Sequence, residues 1–183
     1  MRKNTIFIIV TILILGLLMI PTVRTFLRDT FFPIAAIEKT TKLETNDLDI
    51  DLKGINVPDT NLKNLQQKDL LFLNFWGTWC PPCRQEWPSI EALYNGKKER
   101  MDFALIAMQD KEEDVRKFIA ENQYTAPVYI AQSPISGEIL PNTFPTTFII
   151  YKDGRIVMKE SGMRNWNSQK THQFIDNLSK TNP

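Results

Sequence analysis

Cys80-Pro81-Pro82-Cys83 holds the only two cysteines of this chain, and it stands between two segments of opposite character. Leu70 to Phe75 is a continuous apolar run broken only by Asn74, which suits a central strand covered on both faces. Pro81 to Asn95 has helical spacing, with Gly96 as a stop signal. Two thiols with two residues between them can close a disulfide within one helical turn. A loop that short removes little entropy from the unfolded chain, so the bridge stabilises almost nothing. A pair that cannot staple a fold is a candidate for chemistry.

The flanking pattern extends this strand–helix junction into a domain. Leu48, Ile50 and Leu52 alternate with Asp49, Asp51 and Lys53, as in a half-buried strand. Gly54 and Pro58-Asp59 then punctuate the chain. Phe103 to Met108 predicts a second buried strand, and Lys111 to Asn122 an amphipathic helix with Val115, Phe118 and Ile119 on one face. Val128 to Ala131 is a short strand. Thr146 to Tyr151 and Ile156 to Lys159 flank Asp153-Gly154, a hairpin signal, and Asn167 to Leu178 closes the chain as a helix. Alternating strands and helices imply parallel pairing, and the hairpin adds antiparallel strands at one side. The expected fold is α/β: a central mixed sheet with helices on both faces.

Composition excludes several classes. Apolar residues make up 43% of the chain, enough for a real core, and the formal net charge of +1 argues against nucleic acid as partner. No phosphate-binding glycine loop is present, and the single histidine, His172, excludes a multi-histidine metal site. No metal or cofactor is expected. The N-terminus differs from the rest: Thr5 to Val23 carries no charge, about the ~20 residues that cross ~30 Å of hydrocarbon. A cleaved signal peptide and an uncleaved anchor both fit, and Pro21-Thr22-Val23-Arg24 is a poor cleavage site, which favours the anchor. Arg2 and Lys3 on one side, with Arg24 and Arg28 on the other, leave the orientation open. The expected domains are an anchor at 1–23, a linker at 24–45 and a globular domain at 46–183.

Asn74 to Pro88, read as Asn-Phe-Trp-Gly-Thr-Trp-Cys-Pro-Pro-Cys-Arg-Gln-Glu-Trp-Pro, resembles the active-site stretch of thioredoxin-like proteins. It is most similar to the TlpA/ResA-type membrane-anchored thiol–disulfide oxidoreductases. Thr143 to Phe148 resembles that family's cis-proline segment, and Asp153 to Ile156 its following hairpin. The helix and strand between 111 and 131 resemble the family's insertion. The likeness covers roughly residues 46–180. It implies a thioredoxin-like three-layer fold with an N-terminal β-hairpin, and a domain on the extracytoplasmic, periplasmic side of the cytoplasmic membrane. It also implies disulfide-containing client proteins, apocytochrome c among them, and a DsbD/CcdA-type membrane electron donor.

On this basis Cys80 is expected to attack and Cys83 to resolve. Cys80 stands where unpaired helix N–H groups and the helix dipole favour a thiolate. Pro81 and Pro82 each remove a possible donor to its sulfur, which predicts a reductant rather than an oxidant. Glu86 follows Cys83 by three residues, so both share a helix face. It is expected at the margin of the apolar stripe, partly desolvated, with a raised pKa and able to take the Cys83 proton. The resemblance supports that role, and a solvated helix glutamate is the alternative. The resemblance also makes Pro145 the cis proline and Phe144 the backbone beside which a client strand pairs. Trp79 and Pro82 complete the client-facing edge, with core packing as the alternative for Trp79. Thr78 and Asp110 receive no role, and Pro88 is expected to kink the helix. A thiol peroxidase is disfavoured because Leu73 and Gly77 stand where its proline and threonine would be. A copper carrier or a client-binding chaperone without turnover is the remaining alternative.

Overall fold

The computed structural model describes residues 2–20, 23 and 41–181. The chain divides into two units, Met1–Ile34 and Ala35–Pro183. In the first, α1 (Arg2–Met19) is an 18-residue helix. Its described side chains from Ile6 to Met19 include eleven exposed large apolar groups. At 1.5 Å per residue, α1 is about 27 Å long against ~30 Å of hydrocarbon. Among the described residues no helix is long and apolar enough to cross a membrane. The expected spanning segment, 1–23, includes residues outside those described. Arg24, Arg28 and most of the expected linker, 24–40, lie outside the described residues.

In the second unit the described residues begin at Thr41. Leu43 donates its N–H to the Gly154 carbonyl (2.9 Å), and Thr41 accepts from Ile156 N–H (2.9 Å). Gly154 has φ +88°, and a Cβ there would stand 2.5 Å from the Leu43 carbonyl oxygen, so only glycine lets the hairpin turn meet this segment. Residues 41–45 are therefore part of the folded unit rather than a free tether. A 3-10 turn, Thr45–Leu48, follows, then β1 (Asp51–Gly54) and the two-residue β2 (Thr60–Asn61). The Leu48/Ile50/Leu52 alternation is thus shared between a turn and a strand, all three side chains being buried. A second 3-10 turn covers Leu62–Leu65.

The remaining elements are β3 (Leu70–Trp76), α2 (Pro81–Lys97), β4 (Met101–Ala107), α3 (Glu112–Asn122), β5 (Val128–Ala131), β6 (Thr146–Tyr151), β7 (Ile156–Ser161) and α4 (Gln169–Thr181). The seven strands form one mixed sheet in the order β2-β1-β5-β4-β3-β6-β7. β3, β4 and β5 are parallel, joined by α2 and α3; β1–β2 and β6–β7 are antiparallel hairpins at the two ends. This is the mixed α/β, thioredoxin-like arrangement with an N-terminal hairpin and an inserted helix–strand pair. Gly96 lies inside α2, not beyond it, and its missing side chain leaves His172 of α4 3.7 Å from the Cβ position. The helix also continues through the exposed Pro88.

β3 is buried along its whole length because it is paired on both edges and covered on both faces. Its side chains alternate. Leu71, Leu73 and Phe75 join a cluster with Leu43, Leu48 and Ile139, closed over by the two 3-10 turns and the 132–145 segment. Phe72, Asn74 and Trp76 point to the other face, where α2 and α3 and the chain leading into α4 pack.

Candidate active site

α2 begins at the carboxyl end of β3, and its first turn is built by the Cys80-Pro81-Pro82-Cys83 stretch. Cys80 is the N-cap residue (φ −96°, ψ 104°), and Pro81 and Pro82 occupy the first helical positions. Proline suits those positions because its fixed φ fits and its missing N–H is an orphan there anyway. The Cys80 sulfur accepts the Cys83 backbone N–H at 3.3 Å. The two sulfurs are bonded to each other at 2.11 Å, with Cα atoms 5.3 Å apart. Both cysteines are buried, Cys83 fully and Cys80 nearly so, while Pro81 and Pro82 are exposed.

The surroundings of Cys80 come from three other segments. Phe144–Pro145 is a cis peptide. It directly precedes β6, whose Thr146 pairs with Phe75 near the end of β3, so the proline lies beside the strand that leads to Cys80. Trp79 is half exposed, meets the Phe144 ring edge-on at 5.4 Å, and is pinned by its indole N–H to the Met108 carbonyl (3.0 Å). Trp79 and Phe144 therefore make one apolar edge, with the buried Pro145 next in the chain and Pro82 exposed in the first turn of α2. Asp110 ties the turn before Cys80: its carboxylate accepts Thr78 N–H at 2.6 Å and the Thr78 hydroxyl at 2.9 Å. The sequence carries no sign of this contact, because Asp110 reaches Thr78 only when β3 and β4 lie side by side. On the α3 side, a cleft of about 300 Å³ opens beside Pro81, lined by Arg84, Gln85, Phe118, Asn122 and Tyr124. Tyr124 stacks on Trp87, and burial, then the charge of Glu91, pushes its hydroxyl pKa up.

Glu86 is fully buried rather than marginal, with 1% of its surface exposed. Its Oε1 accepts from Asn74 Nδ2 (3.1 Å), and its Oε2 accepts from Arg164 N–H (3.2 Å) and from the Trp166 indole N–H (3.2 Å). Asn74 Nδ2 also donates to the Thr147 hydroxyl (2.8 Å). The helical spacing correctly puts Glu86 one turn beyond Cys83. What it cannot show is the lid: residues 164–166, between β7 and α4, close over the carboxylate. The one hint in the sequence is a tryptophan inside the polar stretch Arg164-Asn165-Trp166-Asn167. His172, as a helix residue, bonds Asn167 Oδ1 at 2.9 Å and takes no part in the site.

A bridged cysteine pair at a strand–helix junction, with a cis proline immediately before the neighbouring antiparallel strand, is the arrangement of the thioredoxin-like class. A profile of the redoxin family matches residues 49–175. The thiol–disulfide oxidoreductase ResA of Bacillus thuringiensis subsp. konkukian is 33% identical over 153 residues, 78% of this chain and 83% of that protein. A ResA of Bacillus cereus is 35% identical over 133 residues, 69% and 74% of the two chains. The crystal structure of a thiol:disulfide interchange protein of the thioredoxin family from Chlorobium tepidum matches with a TM-score of 0.60 at 23% identity, over 80% of this chain and 98% of that one. The chain belongs to the redoxin family, alongside the ResA-type thiol–disulfide oxidoreductases.

Proposed function

We propose that this protein reduces disulfides in other polypeptides, from a position tethered to the outer side of the cytoplasmic membrane. The observation that carries the reductive direction is the setting of the Cys80 sulfur. It accepts the Cys83 N–H, while the two residues between the cysteines, both prolines, have no N–H to offer. Fewer donors leave the thiolate less stabilised, which makes the dithiol the better electron source.

In the reduced protein the Cys80 thiolate attacks one sulfur of a client disulfide, and the client's other sulfur leaves as a thiolate that takes a proton from solvent. A mixed disulfide now joins client and Cys80. Cys83 gives its proton to Glu86 and attacks the Cys80 sulfur, and the second client sulfur leaves. Two electrons have passed to the client, and the protein is left with the Cys80–Cys83 bridge seen here. Trp79, Pro82, Phe144 and Pro145 receive the client backbone as an added strand. Apocytochrome c fits as a client, and a DsbD/CcdA-type membrane carrier fits as the source of electrons that reopen the bridge. The apolar N-terminal run supports a tether, since its exposed side chains need cover that hydrocarbon supplies, and a tether raises the effective concentration near membrane partners.

Equilibration of the full chain with glutathione buffers tests the direction. The expected potential is more negative than about −200 mV, and a value near −120 mV, the strong-oxidant range, overturns it. Cys83→Ser then traps the client, since the mixed disulfide on Cys80 has no resolving thiol.

A further inference from the structure

We infer that Trp166 is a positioning residue for thiol exchange: its indole N–H holds the Glu86 carboxylate in place to receive the Cys83 proton. The inference deepens the proposed reaction and rests on Glu86 being the proton acceptor.

Three tryptophans lie fully buried in this half of the core: Trp76, Trp87 and Trp166. The indole N–H groups of Trp76 and Trp87 have no hydrogen-bond partner. That of Trp166 donates to Glu86 Oε2 at 3.2 Å. Ring packing alone therefore does not account for Trp166: its ring meets Phe72 edge-on at 4.9 Å, which a phenylalanine could also do. The segment that carries it is fastened at both ends of the site. Gly162 donates its N–H to the carbonyl of the cis proline Pro145 at 2.7 Å. Ser89 Oγ accepts the Trp166 backbone N–H at 3.1 Å and donates to the Glu86 carbonyl at 2.7 Å. Residues 162–166 thus span from the client-facing edge to the carboxylate one turn beyond Cys83.

Cys80 and Cys83 share the helix of Glu86. Arg164 gives Glu86 a backbone N–H, while the Arg164 guanidinium is paired with Glu160 at 2.7 Å. β3 and β6 present neutral Asn74 and Thr147. A donor to a carboxylate favours its ionised form, so losing the indole N–H raises the pH at which Glu86 can accept a proton.

The test uses Trp166→Phe in the full-length reduced chain, which keeps the ring and removes the N–H. Dithiobis-nitrobenzoate reacts in two phases. Cys80 attacks it and releases one nitrothiobenzoate; Cys83 then closes the bridge and releases the second. The pH profile of the second phase is expected to move up by about one unit, with the first phase unmoved. In a Glu86→Gln background the same substitution should add no shift. A profile that overlays the unsubstituted protein, or a shift that persists without Glu86, overturns the inference. Should the variant not fold, the indole N–H resonance of Trp166 in the unsubstituted chain decides it: titration with the midpoint of the second phase supports the inference and a flat resonance overturns it. Absence of any release from the unsubstituted chain would refute disulfide exchange itself, a failure plainly distinct from an unmoved profile.

Discussion

The two faces of β3 are built on opposite principles. On one, Leu71, Leu73 and Phe75 enter a cluster of leucine, isoleucine and aromatic side chains whose one titrating member is Tyr129. On the other, Phe72 and Trp76 pack against Trp87 and Trp166, and between them lies a buried hydrogen-bonded chain of Thr147, Asn74 and Glu86. The first face stabilises by removing apolar surface from water. The second gives up part of that gain, because buried polar groups return little net stability, and it holds a carboxylate one turn from a reactive cysteine instead. The difference teaches where stability and chemistry can be separated in this molecule: they lie about one strand thickness apart.

That separation can be broken by substitution. Leu73→Ala, on the aliphatic face, should cost the most, about 2–5 kcal/mol in denaturant unfolding, and leave the redox potential unchanged. A changed potential would mean that the two faces are coupled through β3. Tyr129 sharpens the same point through pH. Burial, then the charges of Tyr94 and Asp102, pushes its pKa up to about 12. The folded state keeps this proton while an unfolded tyrosine loses it near pH 10. Stability is therefore fully present below pH 10 and falls between pH 10 and 12, by as much as about 2 kcal/mol. Tyr129→Phe should flatten that alkaline limb in thermal melts across the range. Glu86→Gln should have the smallest effect on stability, about 1 kcal/mol, since the amide oxygen still accepts. Yet of the three it alone should alter the pH dependence of thiol exchange, read as the rate of bridge closure after adduct formation. An unaltered profile would return Glu86 to a structural role.

Much of this is legible in the chain before it folds. The Leu70–Phe75 run, the prolines after Cys80 and the Asp153-Gly154 turn each depend on residues a few positions apart, and each forms the element expected. Family likeness, not periodicity, points to Phe144–Pro145 as a cis peptide. The less legible parts are those without a period. Leu43 reads as tether, but it is buried because Gly154 leaves room for it. Glu86 reads as marginal on a helical projection, because a projection shows one helix and not what lies over it.

The sequence by itself determined the strand–helix junction and the cysteine pair at its mouth, since hydrophobic period, proline at the first helical turn and thiol spacing act within a few residues. Only the tertiary structure decided that Asp110 would tie the turn at Thr78 and that an indole about eighty residues along the chain would reach Glu86. Those contacts join segments that no local rule relates. They form because sheet pairing and core packing bring the segments together, and a buried carboxylate must then find donors wherever the packed chain supplies them.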